Sequence, residues 1–525
     1  MRFLKKLFSR FTFVALTIIL LFSAFALAIV GGFWLLRMFL IERFESARIW
    51  IWIAAEVINW LVVVLTIIHI VNRDMTPETK LPWIICVVAL GVFGVGVYAF
   101  FSYNRPSKRQ RRYFRALHKD FDAYIARAVS EEKLARDMGD WAGVSEAVYR
   151  KNPVAVMHAN TKTEYFPTGE KFFERLLFDL ERAEKYIFME YFVVGRGQVW
   201  SAVLDVLKRK VQEGVEVRFL YDDIGCMGKI HFRYDKTLRK LGINCVKFNP
   251  FVPVVSNVHN NRDHRKLTVI DGKVGYTGGA NIADEYANLA RPFGYWKDTA
   301  VRLEGEAVRN LIVSFLRTFN MQRRTTEDFT PYIPPSYDEV EGEGYVQPYS
   351  DGPKPLYANT VAEDVYLDIL ATAKKYVWIT TPYLIIDYRI RTALLSAAAR
   401  GVDVRILTPH IPDKKIPFAL TRSNYMALIK GGVKIYEYTP GFVHAKSFLA
   451  DDDIAVVGTV NLDYRSLLYH YENAVLLYRT RACAQLKEDL EGCFACSKLQ
   501  TEEDAKKNIL WRGLTELAKA FAPLF

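Results

Sequence analysis

The chain has 525 residues, 51% of them hydrophobic and 24% charged, which is enough for more than one domain with its own core. Its net charge of +12 indicates an anionic partner such as nucleic acid, an acidic membrane surface or a phosphorylated substrate. Six cysteines in so long a chain exclude a disulfide framework, and the lone C-x-x-C of Cys493 and Cys496 favours structural cysteines over a zinc site.

Three apolar segments near the N-terminus predict transmembrane helices over residues 11–36, 48–71 and 81–103. The second contains Glu56, which is costly in lipid unless it is buried or functional. The first follows basic residues and contains "AFALA", as a cleaved signal peptide does. Its apolar run continues well past "AFALA", which favours a membrane helix.

Basic residues beside these segments predict the orientation of the chain. "RMFLIERFESAR" carries three arginines and "NRPSKRQRRYFR" is densely basic. With three spans these two stretches lie on the same side, which the positive-inside rule makes the cytoplasm. The basic N-terminal tail argues for the opposite orientation but carries fewer charges. We therefore expect residues 104–525 in the cytoplasm, whereas a cleaved first segment would place them outside.

The rest of the chain predicts an α/β fold in two duplicated domains. Residues 104–150 predict a basic helical connector, and from residue 151 apolar strands alternate with amphipathic helices. A segment rich in Pro, Gly and acidic residues, 331–355, predicts a linker or an exposed loop. Beyond it "AKKYVWITTPYL" corresponds to "AEKYIFMEYFVV", and "AAARGVDVRILTP" to "VQEGVEVRFLYDD". We expect domains over 151–330 and 356–500, packed about a pseudo-twofold axis. We also expect an amphipathic helix over 501–525 that lies on the membrane or packs against the catalytic domain.

Both halves contain the pattern H-x-K-x4-D, with a Gly fourteen and an Asn seventeen residues after the His. One stretch is "DHRKLTVIDGKVGYTGGAN" and the other is "VHAKSFLADDDIAVVGTVN". A single H-x-K is usually part of a solvated strand, but its recurrence at the same place in a duplication indicates one shared site. The two sets are His264, Lys266, Asp271, Gly278 and Asn281, and His444, Lys446, Asp451, Gly458 and Asn461.

These residue types suit transfer of a phosphate ester without a metal or cofactor. Positions two apart on a strand face the same side, so His and Lys project together. Lysines and asparagines bind the non-bridging oxygens, while one imidazole attacks phosphorus and the other protonates the leaving oxygen. Each imidazole also needs an acceptor on its far nitrogen. We expect Glu472 to serve the second-half His444 and Asp298 to serve the first-half His264.

We predict a different role for the motif aspartates than for the histidines. Asp271 and Asp451 follow the strands at an odd spacing from the lysines, which predicts that they brace the turn rather than contact substrate. The histidines that we expect to be ordinary residues are His259, His410 and His470.

These residues resemble the phospholipase D superfamily, whose signature is the doubled H-x-K-x4-D motif, and more closely the bacterial cardiolipin synthases. The likeness covers residues 70–525 and includes "YWKDT", "TTPYL", "GFVHAKSFLADD" and "GTVNLDYRSL". It departs at Asp263, where many members have Asn, and at Cys226, where Ser is common. The resemblance implies a phospholipase D-like fold for both domains and favours His264 as the nucleophile.

The resemblance also implies the reaction, in which two phosphatidylglycerols give cardiolipin and glycerol through a phosphatidyl-histidine. It implies anionic membrane lipids as partners, a cell-membrane location and no nucleic acid. A phospholipase D-type hydrolase that releases phosphatidic acid is the main alternative. A membrane-tethered nuclease fits the apolar segments poorly, and a non-enzymatic scaffold conflicts with two intact motifs.

Overall fold

The structure is a computed structural model of the chain. The predicted span over residues 11–36 lies outside the described residues except at three positions. The chain divides into two compact units, of which the larger holds residues 106–250 and 261–515 and the smaller holds 1–105, 251–260 and 516–525. The described residues are 31–32, 35, 38–39, 48–102, 106–116, 124–125, 127, 129–251, 260–357, 360–506 and 509–524.

The smaller unit contains two apolar helices, α1 (Arg48–Asn72) and α2 (Pro77–Phe101). Both are long and apolar enough to cross a membrane, with mean hydropathies of 2.3 and 2.5. They agree with the segments predicted over 48–71 and 81–103, although α2 begins earlier. Asn59 Oδ1 accepts a hydrogen bond from the backbone N–H of Val92 at 3.1 Å, beside the non-helical Gly91. This side chain therefore satisfies a backbone group close to the irregularity in α2.

The predicted connector contributes three helices to the larger unit: α3 (Lys108–Ala116), α4 (Glu131–Met138) and α5 (Ala142–Lys151). Leu134 and Val148 are buried in the same hydrophobic cluster as the core of the second half. Since α4 and α5 bury apolar side chains against that core, they belong to the folded body rather than to a free connector.

The first half of the larger unit is an α/β domain built on one seven-stranded sheet. The spatial order of its strands is β1-β8-β6-β5-β2-β3-β4, in which β2, β3 and β4 are parallel and the others antiparallel. In chain order the elements are β1 (Thr161–Phe166), α6 (Gly169–Glu181), β2 (Tyr186–Tyr191), α7 (Gln198–Gln212), β3 (Glu216–Asp222), α8 (Tyr234–Lys240), β4 (Asn244–Phe248), β5 (Lys266–Ile270), β6 (Val274–Gly278), β7 (Tyr295–Lys297), β8 (Ala300–Gly305) and α9 (Val308–Arg323).

The second half is built on an eight-stranded sheet with the order β19-β13-β12-β10-β15-β16-β18-β9. In chain order its elements are β9 (Tyr345–Asp351), α10 (Val361–Thr372), β10 (Tyr376–Thr380), β11 (Leu384–Ile385), α11 (Tyr388–Ala399), β12 (Asp403–Pro409), α12 (Lys415–Ser423), α13 (Tyr425–Lys430), β13 (Lys434–Tyr438), β14 (Gly441–Val443), β15 (Ser447–Ala450), β16 (Ile454–Gly458), β17 (Leu462–Asp463), α14 (Tyr464–Leu468), β18 (Glu472–Tyr478), α15 (Arg481–Ala495), β19 (Ser497–Leu499) and α16 (Glu502–Ala505). A last helix, α17 (Ile509–Phe521), forms within the predicted C-terminal helical segment.

The two sheets repeat one topology, which confirms the predicted duplicated α/β fold. Parallel strands β10, β12 and β13 correspond to β2, β3 and β4. The antiparallel series β15-β16-β18-β9 corresponds to β5-β6-β8-β1.

The segment between the halves is shorter than predicted. Tyr345–Asp351 forms the edge strand β9 of the second sheet, although it lies inside the predicted linker 331–355. Pro348 within it is tolerated because an edge strand leaves one side of its backbone outside the sheet. The second domain therefore begins at residue 345, not at residue 356.

The two halves share one hydrophobic core. A single cluster of buried side chains includes Leu267 and Val301 from the first sheet together with Val457 and Val475 from the second. The Nδ2 of Asn473 on β18 also donates a hydrogen bond at 2.7 Å to the Thr277 hydroxyl on β6. The halves are therefore packed against each other through both apolar and polar contacts.

Candidate active site

The two H-x-K pairs lie at equivalent places in the two sheets. Lys266 is the first residue of β5, whereas His444 and Lys446 lie in the short link between β14 and β15. The predicted location within a strand is therefore correct for Lys266 only. In both halves the Lys Nζ donates a hydrogen bond to the carbonyl oxygen of the His two residues earlier. This contact orients each lysine beside its own histidine.

Each histidine is held by a carboxylate of the other half. The Nδ1 of His264 lies 2.9 Å from both carboxylate oxygens of Glu472. The Nδ1 of His444 lies 2.7 Å from Oδ2 of Asp298. The expected pairing, in which each carboxylate serves the histidine of its own half, is therefore wrong, although both predicted acceptors are in use.

Parallel backbone pairing between the halves explains this exchange. Strand β14 pairs with β7 of the other half, and the His444 N–H donates to the carbonyl oxygen of Lys297 at 2.7 Å. Equivalently, the His264 N–H donates to the carbonyl oxygen of Tyr471 at 2.9 Å. In each case the carboxylate residue directly follows the accepting residue. The pairing therefore places each histidine beside a carboxylate from the other half.

Both carboxylates are fully buried, and each has its own support. The Thr459 hydroxyl donates a hydrogen bond to Oε2 of Glu472. Oδ1 of Asp298 accepts the backbone N–H of Thr299 at 2.9 Å. A Cβ atom at Gly279 would lie 2.0 Å from this same oxygen, so glycine leaves the room that Asp298 needs.

Burial sets the protonation states of the two pairs. It lowers the pKa of both imidazoles, that of His444 to about 4, although the neighbouring carboxylates oppose the change. Burial alone would raise the pKa of Asp298 and Glu472, but the histidines that they contact hold both values below the usual range. A neutral imidazole therefore donates Nδ1–H to an ionised carboxylate, which leaves the Nε2 lone pair for chemistry.

The two lysines lie in the same electrostatic environment. Burial lowers the pKa of Lys266 to about 7 and that of Lys446 to about 8. The positive charge of Lys446 also lowers the pKa of Lys266, and the charge of Lys266 lowers that of His444. The two histidines and two lysines therefore lie close enough to influence one another's charge and form one shared site, as an anionic ligand such as a phosphodiester requires.

The motif asparagines are bonded within the protein. Oδ1 of Asn281 accepts the Val193 N–H at 2.9 Å, and its Nδ2 donates to the Tyr286 hydroxyl at 2.8 Å. The Nδ2 of Asn461 donates to Asp463 at 3.1 Å. Since an amide nitrogen carries two hydrogens, each asparagine keeps a second donor, and their phosphate contact stays a prediction.

The motif aspartates brace turns, as expected from their spacing. Both follow the last residue of their strand and have positive φ, 52° at Asp271 and 56° at Asp451. Each carboxylate accepts three consecutive backbone N–H groups at the start of the neighbouring antiparallel strand, β2 for Asp271 and β10 for Asp451. The donors are Glu184, Lys185 and Tyr186 for Asp271, at 2.7–2.9 Å, and Lys374, Lys375 and Tyr376 for Asp451, at 2.7–2.9 Å.

One histidine that was expected to be ordinary lies beside the site. The ring centroid of His470 is 5.5 Å from that of His264, and its Nδ1 is 3.6 Å from Oε1 of Glu472. Its side chain is 10% exposed. Neither ring nitrogen makes a hydrogen bond with any residue that the structure describes. Aligning "WKD" with "HYE" at the two carboxylates would have found it.

The other residues singled out lie elsewhere. His410 contacts Glu437 at 3.1 Å and is half exposed, whereas His259 lies outside the described residues. Cys493 is buried and Cys496 exposed, and both are free thiols. In the part of the chain that the structure describes, the grouping with three possible metal ligands is His264, His470 and Glu472.

The family model and the similar proteins both assign the chain to one family. The chain matches a family described as "Cardiolipin synthase, PLD-like domain" over residues 176–292 and 366–494. It is 42% identical over 466 residues to an uncharacterized protein of Streptococcus mutans, which covers 87% of this chain and 99% of that one. It is 36% identical over 430 residues to a cardiolipin synthase of Alkalihalophilus pseudofirmus, with coverages of 81% and 84%. A phosphatidylserine synthase of Haemophilus influenzae shares the fold, with a TM-score of 0.56 at 16% identity over 72% of this chain and 97% of that one.

Proposed function

Because the chain belongs to the cardiolipin synthase family of phospholipase D-like proteins, we propose that it transfers a phosphatidyl group between two phosphatidylglycerols. The products are cardiolipin and glycerol. The observation that supports this most directly is one shared site with two lysines and two histidine–carboxylate pairs, each pair formed across the two halves. Membrane association agrees with an anionic lipid substrate.

In the first step one neutral imidazole attacks the phosphorus of phosphatidylglycerol through Nε2. We assign this role to His264, as the family resemblance favours. A phosphorus–nitrogen bond forms and the bond from phosphorus to the headgroup oxygen breaks. The leaving glycerol takes the Nε2 proton of His444, which enters this step as the imidazolium because Asp298 and the bound anionic substrate raise its pKa in the complex. The carboxylate of Glu472 stabilises the positive charge that develops on the attacking ring.

In the second step the headgroup hydroxyl of another phosphatidylglycerol attacks the phosphatidyl-histidine. The Nε2 of His444 accepts the hydroxyl proton, the phosphorus–nitrogen bond breaks and His264 returns to its neutral form. Asp298 stabilises the imidazolium that His444 becomes, since it accepts the Nδ1–H. The ammonium groups of Lys266 and Lys446 stabilise the non-bridging oxygens in both steps.

Incubation of the purified protein with phosphatidylglycerol in detergent tests this function. We expect cardiolipin and glycerol in equal amounts. Release of phosphatidic acid without cardiolipin would instead support the hydrolase, and DNA cleavage without lipid turnover would support the nuclease. Both alternatives share the motif, so the product decides between them.

Substitution of either histidine tests the two-histidine mechanism. We expect His264→Ala and His444→Ala each to abolish cardiolipin formation, because each removes a group that moves a proton or forms the covalent bond. Rapid quenching with labelled lipid and peptide mapping identify the histidine that carries the phosphatidyl group. A fully active variant of either would show that two histidines are not required.

The chain is membrane-associated, and we propose a multi-pass anchor with the larger unit in the cytoplasm. The basic residues of α3 lie a short distance after α2 in the sequence, which supports this orientation. Labelling of the exposed Cys496 in intact cells tests it, with a Cys496→Ser variant as control. Reaction with a membrane-impermeant thiol reagent only after lysis supports a cytoplasmic location, and reaction in intact cells contradicts it.

A further inference from the structure

At one equivalent position beside the catalytic histidines, the two halves carry different ring side chains. His470 stands two residues before Glu472, and Trp296 stands two residues before Asp298. Their rings occupy matching places: the His264–His470 centroids are 5.5 Å apart at an interplanar angle of 42°, and the His444–Trp296 centroids are 5.4 Å apart at 44°. An indole cannot bind a metal ion through a lone pair, whereas a neutral imidazole can. The two halves of the site therefore differ in their capacity to bind a metal ion.

The spacing of the donor atoms around Glu472 suits a small divalent transition-metal ion. Its Oε1 lies 2.9 Å from Nδ1 of His264 and 3.6 Å from Nδ1 of His470. One donor atom from each of the three residues falls within 4.8 Å of the other two. Tetrahedral zinc, with bonds of about 2.0–2.1 Å, requires its ligands about 3.3 Å apart. The two separations from Glu472 fall on both sides of that value, and the separation between the two imidazole donors is at most 4.8 Å, so side-chain rotation can bring the three atoms to a common ion.

The unsatisfied hydrogen-bonding capacity of His470, whose nearest carboxylate contact is 3.6 Å long, is a further indication of a ligand. Its side chain is 10% exposed, and within the described chain neither ring nitrogen has a hydrogen-bond partner. Buried polar side chains without a partner are rare in folded proteins. Oε2 of Glu472 is already held by the Thr459 hydroxyl, which leaves Oε1 for a ligand shared with His470.

We propose that His264, His470 and Glu472 form an inhibitory site for divalent transition-metal ions of the zinc type. Two imidazoles and one carboxylate match the ligand preference of zinc rather than that of magnesium or calcium, which take oxygen ligands. The positive charges of the Lys266 and Lys446 ammonium groups weaken the binding of a cation at this site. The metal is therefore a reversible inhibitor and not a resident cofactor.

Metal binding blocks the chemistry through the tautomer of His264. In the uninhibited enzyme the Nδ1–H of this ring donates to Glu472, and Nε2 carries the lone pair. The metal ion bonds to Nδ1 and displaces its proton, which moves to Nε2 of the same ring through solvent. The ring then has no lone pair at Nε2 and neither attacks phosphorus nor accepts a proton. Glu472 stays ionised, so the step neither consumes nor releases a net proton.

The test measures Zn²⁺ binding by calorimetry and Zn²⁺ inhibition of cardiolipin formation, with the whole protein in detergent micelles after chelator treatment. The variants are His470→Trp, which copies the other half, and His470→Asn, a smaller change in case the first does not fold. His410→Asn is the matched control, because His410 also contacts a carboxylate but lies outside the shared site. Mg²⁺ at equal concentration controls for charge effects on the anionic lipid.

We expect Zn²⁺, but not Mg²⁺, to inhibit the unsubstituted protein and the His410→Asn variant, with full recovery on chelation. The rate of each His470 variant is compared with its own uninhibited rate. Half-maximal inhibition of these variants should require at least about tenfold more Zn²⁺, because even indirect support of a metal ligand is worth 10–100-fold in affinity. Calorimetry should show the loss of one binding event in these variants. Equal Zn²⁺ binding and sensitivity in all variants would overturn the proposal.

The inhibition rests on the proposed function, but the binding does not. If the protein bound Zn²⁺ through His470 yet made no cardiolipin, the proposed function would fail and the metal site would stand. If it made cardiolipin and calorimetry showed no Zn²⁺ bound through His470, the site would fail and the function would stand.

Discussion

At the residue scale the decisive feature is that each catalytic histidine depends on a carboxylate of the other half. Glu472 and His264 are 208 positions apart, and Asp298 and His444 are 146 apart. The residue types were predictable, because an imidazole that moves protons needs an acceptor on its far nitrogen. Which carboxylate contacts which histidine was not predictable. Each carboxylate is nearer in sequence to the histidine of its own half, but the backbone hydrogen bonds between the halves place it beside the other histidine.

Glu472→Gln tests the crossed pairing. We expect a loss of about 10²–10⁴-fold in kcat, the range of a general acid–base contribution, because an amide cannot stabilise the charged ring of His264. In spectra of histidine-labelled protein, the ring signals of His264 should shift more than those of His444. Glu437→Gln, at a carboxylate that contacts His410, is the control. A larger shift at His444 would contradict the crossed arrangement.

The lysine pKa values predict the pH profile of kcat/KM. Because burial lowers the pKa to about 7 for Lys266 and about 8 for Lys446, each ammonium group loses its charge in the free enzyme as pH rises through these values. We therefore expect kcat/KM to fall between pH 7 and about pH 9, while kcat falls less because bound phosphate raises both pKa values. Because the pKa of His444 in the free enzyme is about 4, its imidazole is protonated below that pH and cannot act as a base.

Initial rates over a range of pH check this profile, and Lys446→Arg is an informative variant. A guanidinium keeps its charge in this range. The decrease in kcat/KM near pH 8 should therefore disappear in this variant, while the decrease near pH 7 remains. A value of kcat/KM that is constant up to pH 10 would contradict the buried-lysine explanation.

At the scale of the element, the motif aspartates show why one short pattern carries two different roles. The His and Lys stand where β5 and β15 begin, whereas Asp271 and Asp451 stand where those strands end. At about 3.3 Å per residue, the five positions from Lys266 to Asp271 span roughly 16 Å. The residues at one end of the strand therefore carry out the chemistry, and the aspartate at the other end fixes the turn and the start of the neighbouring antiparallel strand.

Asp451→Asn tests this separation of roles. We expect it to lower the free energy of unfolding by about 1–3 kcal/mol, because the charge-assisted bonds to three backbone N–H groups weaken. Asparagine tolerates the positive φ, so the backbone itself is not strained. Thermal and denaturant unfolding measure the loss, with the exposed Asp205→Asn as a near-neutral control. Abolished turnover at unchanged stability would instead make Asp451 a substrate contact.

The strand β9 illustrates a limit of local patterns at the same scale. Residues 331–355 read as a linker because Pro, Gly and acidic residues dominate them. Tyr345–Asp351 nevertheless pairs with β18 over its full length. An edge strand gains its stability from a neighbour that lies far along the chain, so its own composition does not predict it.

At the scale of the whole molecule, the larger unit is one folded body with a site that neither half completes. Both histidine–carboxylate pairs cross between the halves, as does the ion pair of Lys297 with Asp489 at 2.6 Å. The covalent link between the halves runs through the exposed residues Asp338 and Glu339. The shared core rather than this link is therefore expected to hold the halves together.

Cleavage of the link tests this expectation. A protease site inserted between Asp338 and Glu339 should allow complete cleavage of the folded protein without loss of cardiolipin formation. The two fragments should also elute together, because their common core and hydrogen bonds persist. An insertion of equal length without the site controls for the added residues. Separation of the fragments with loss of activity would contradict a self-sufficient interface.

The duplication, the two H-x-K pairs and the two carboxylates could all be predicted from the amino-acid sequence. These follow from residue type and spacing, and a repeated unit preserves both wherever it folds. The folded arrangement was needed to show which carboxylate contacts which histidine, that Tyr345–Asp351 is a strand, and that His470 lies beside His264. All three depend on contacts between segments remote in the chain. Such contacts arise from the packing of two complete domains, and no local periodicity encodes them.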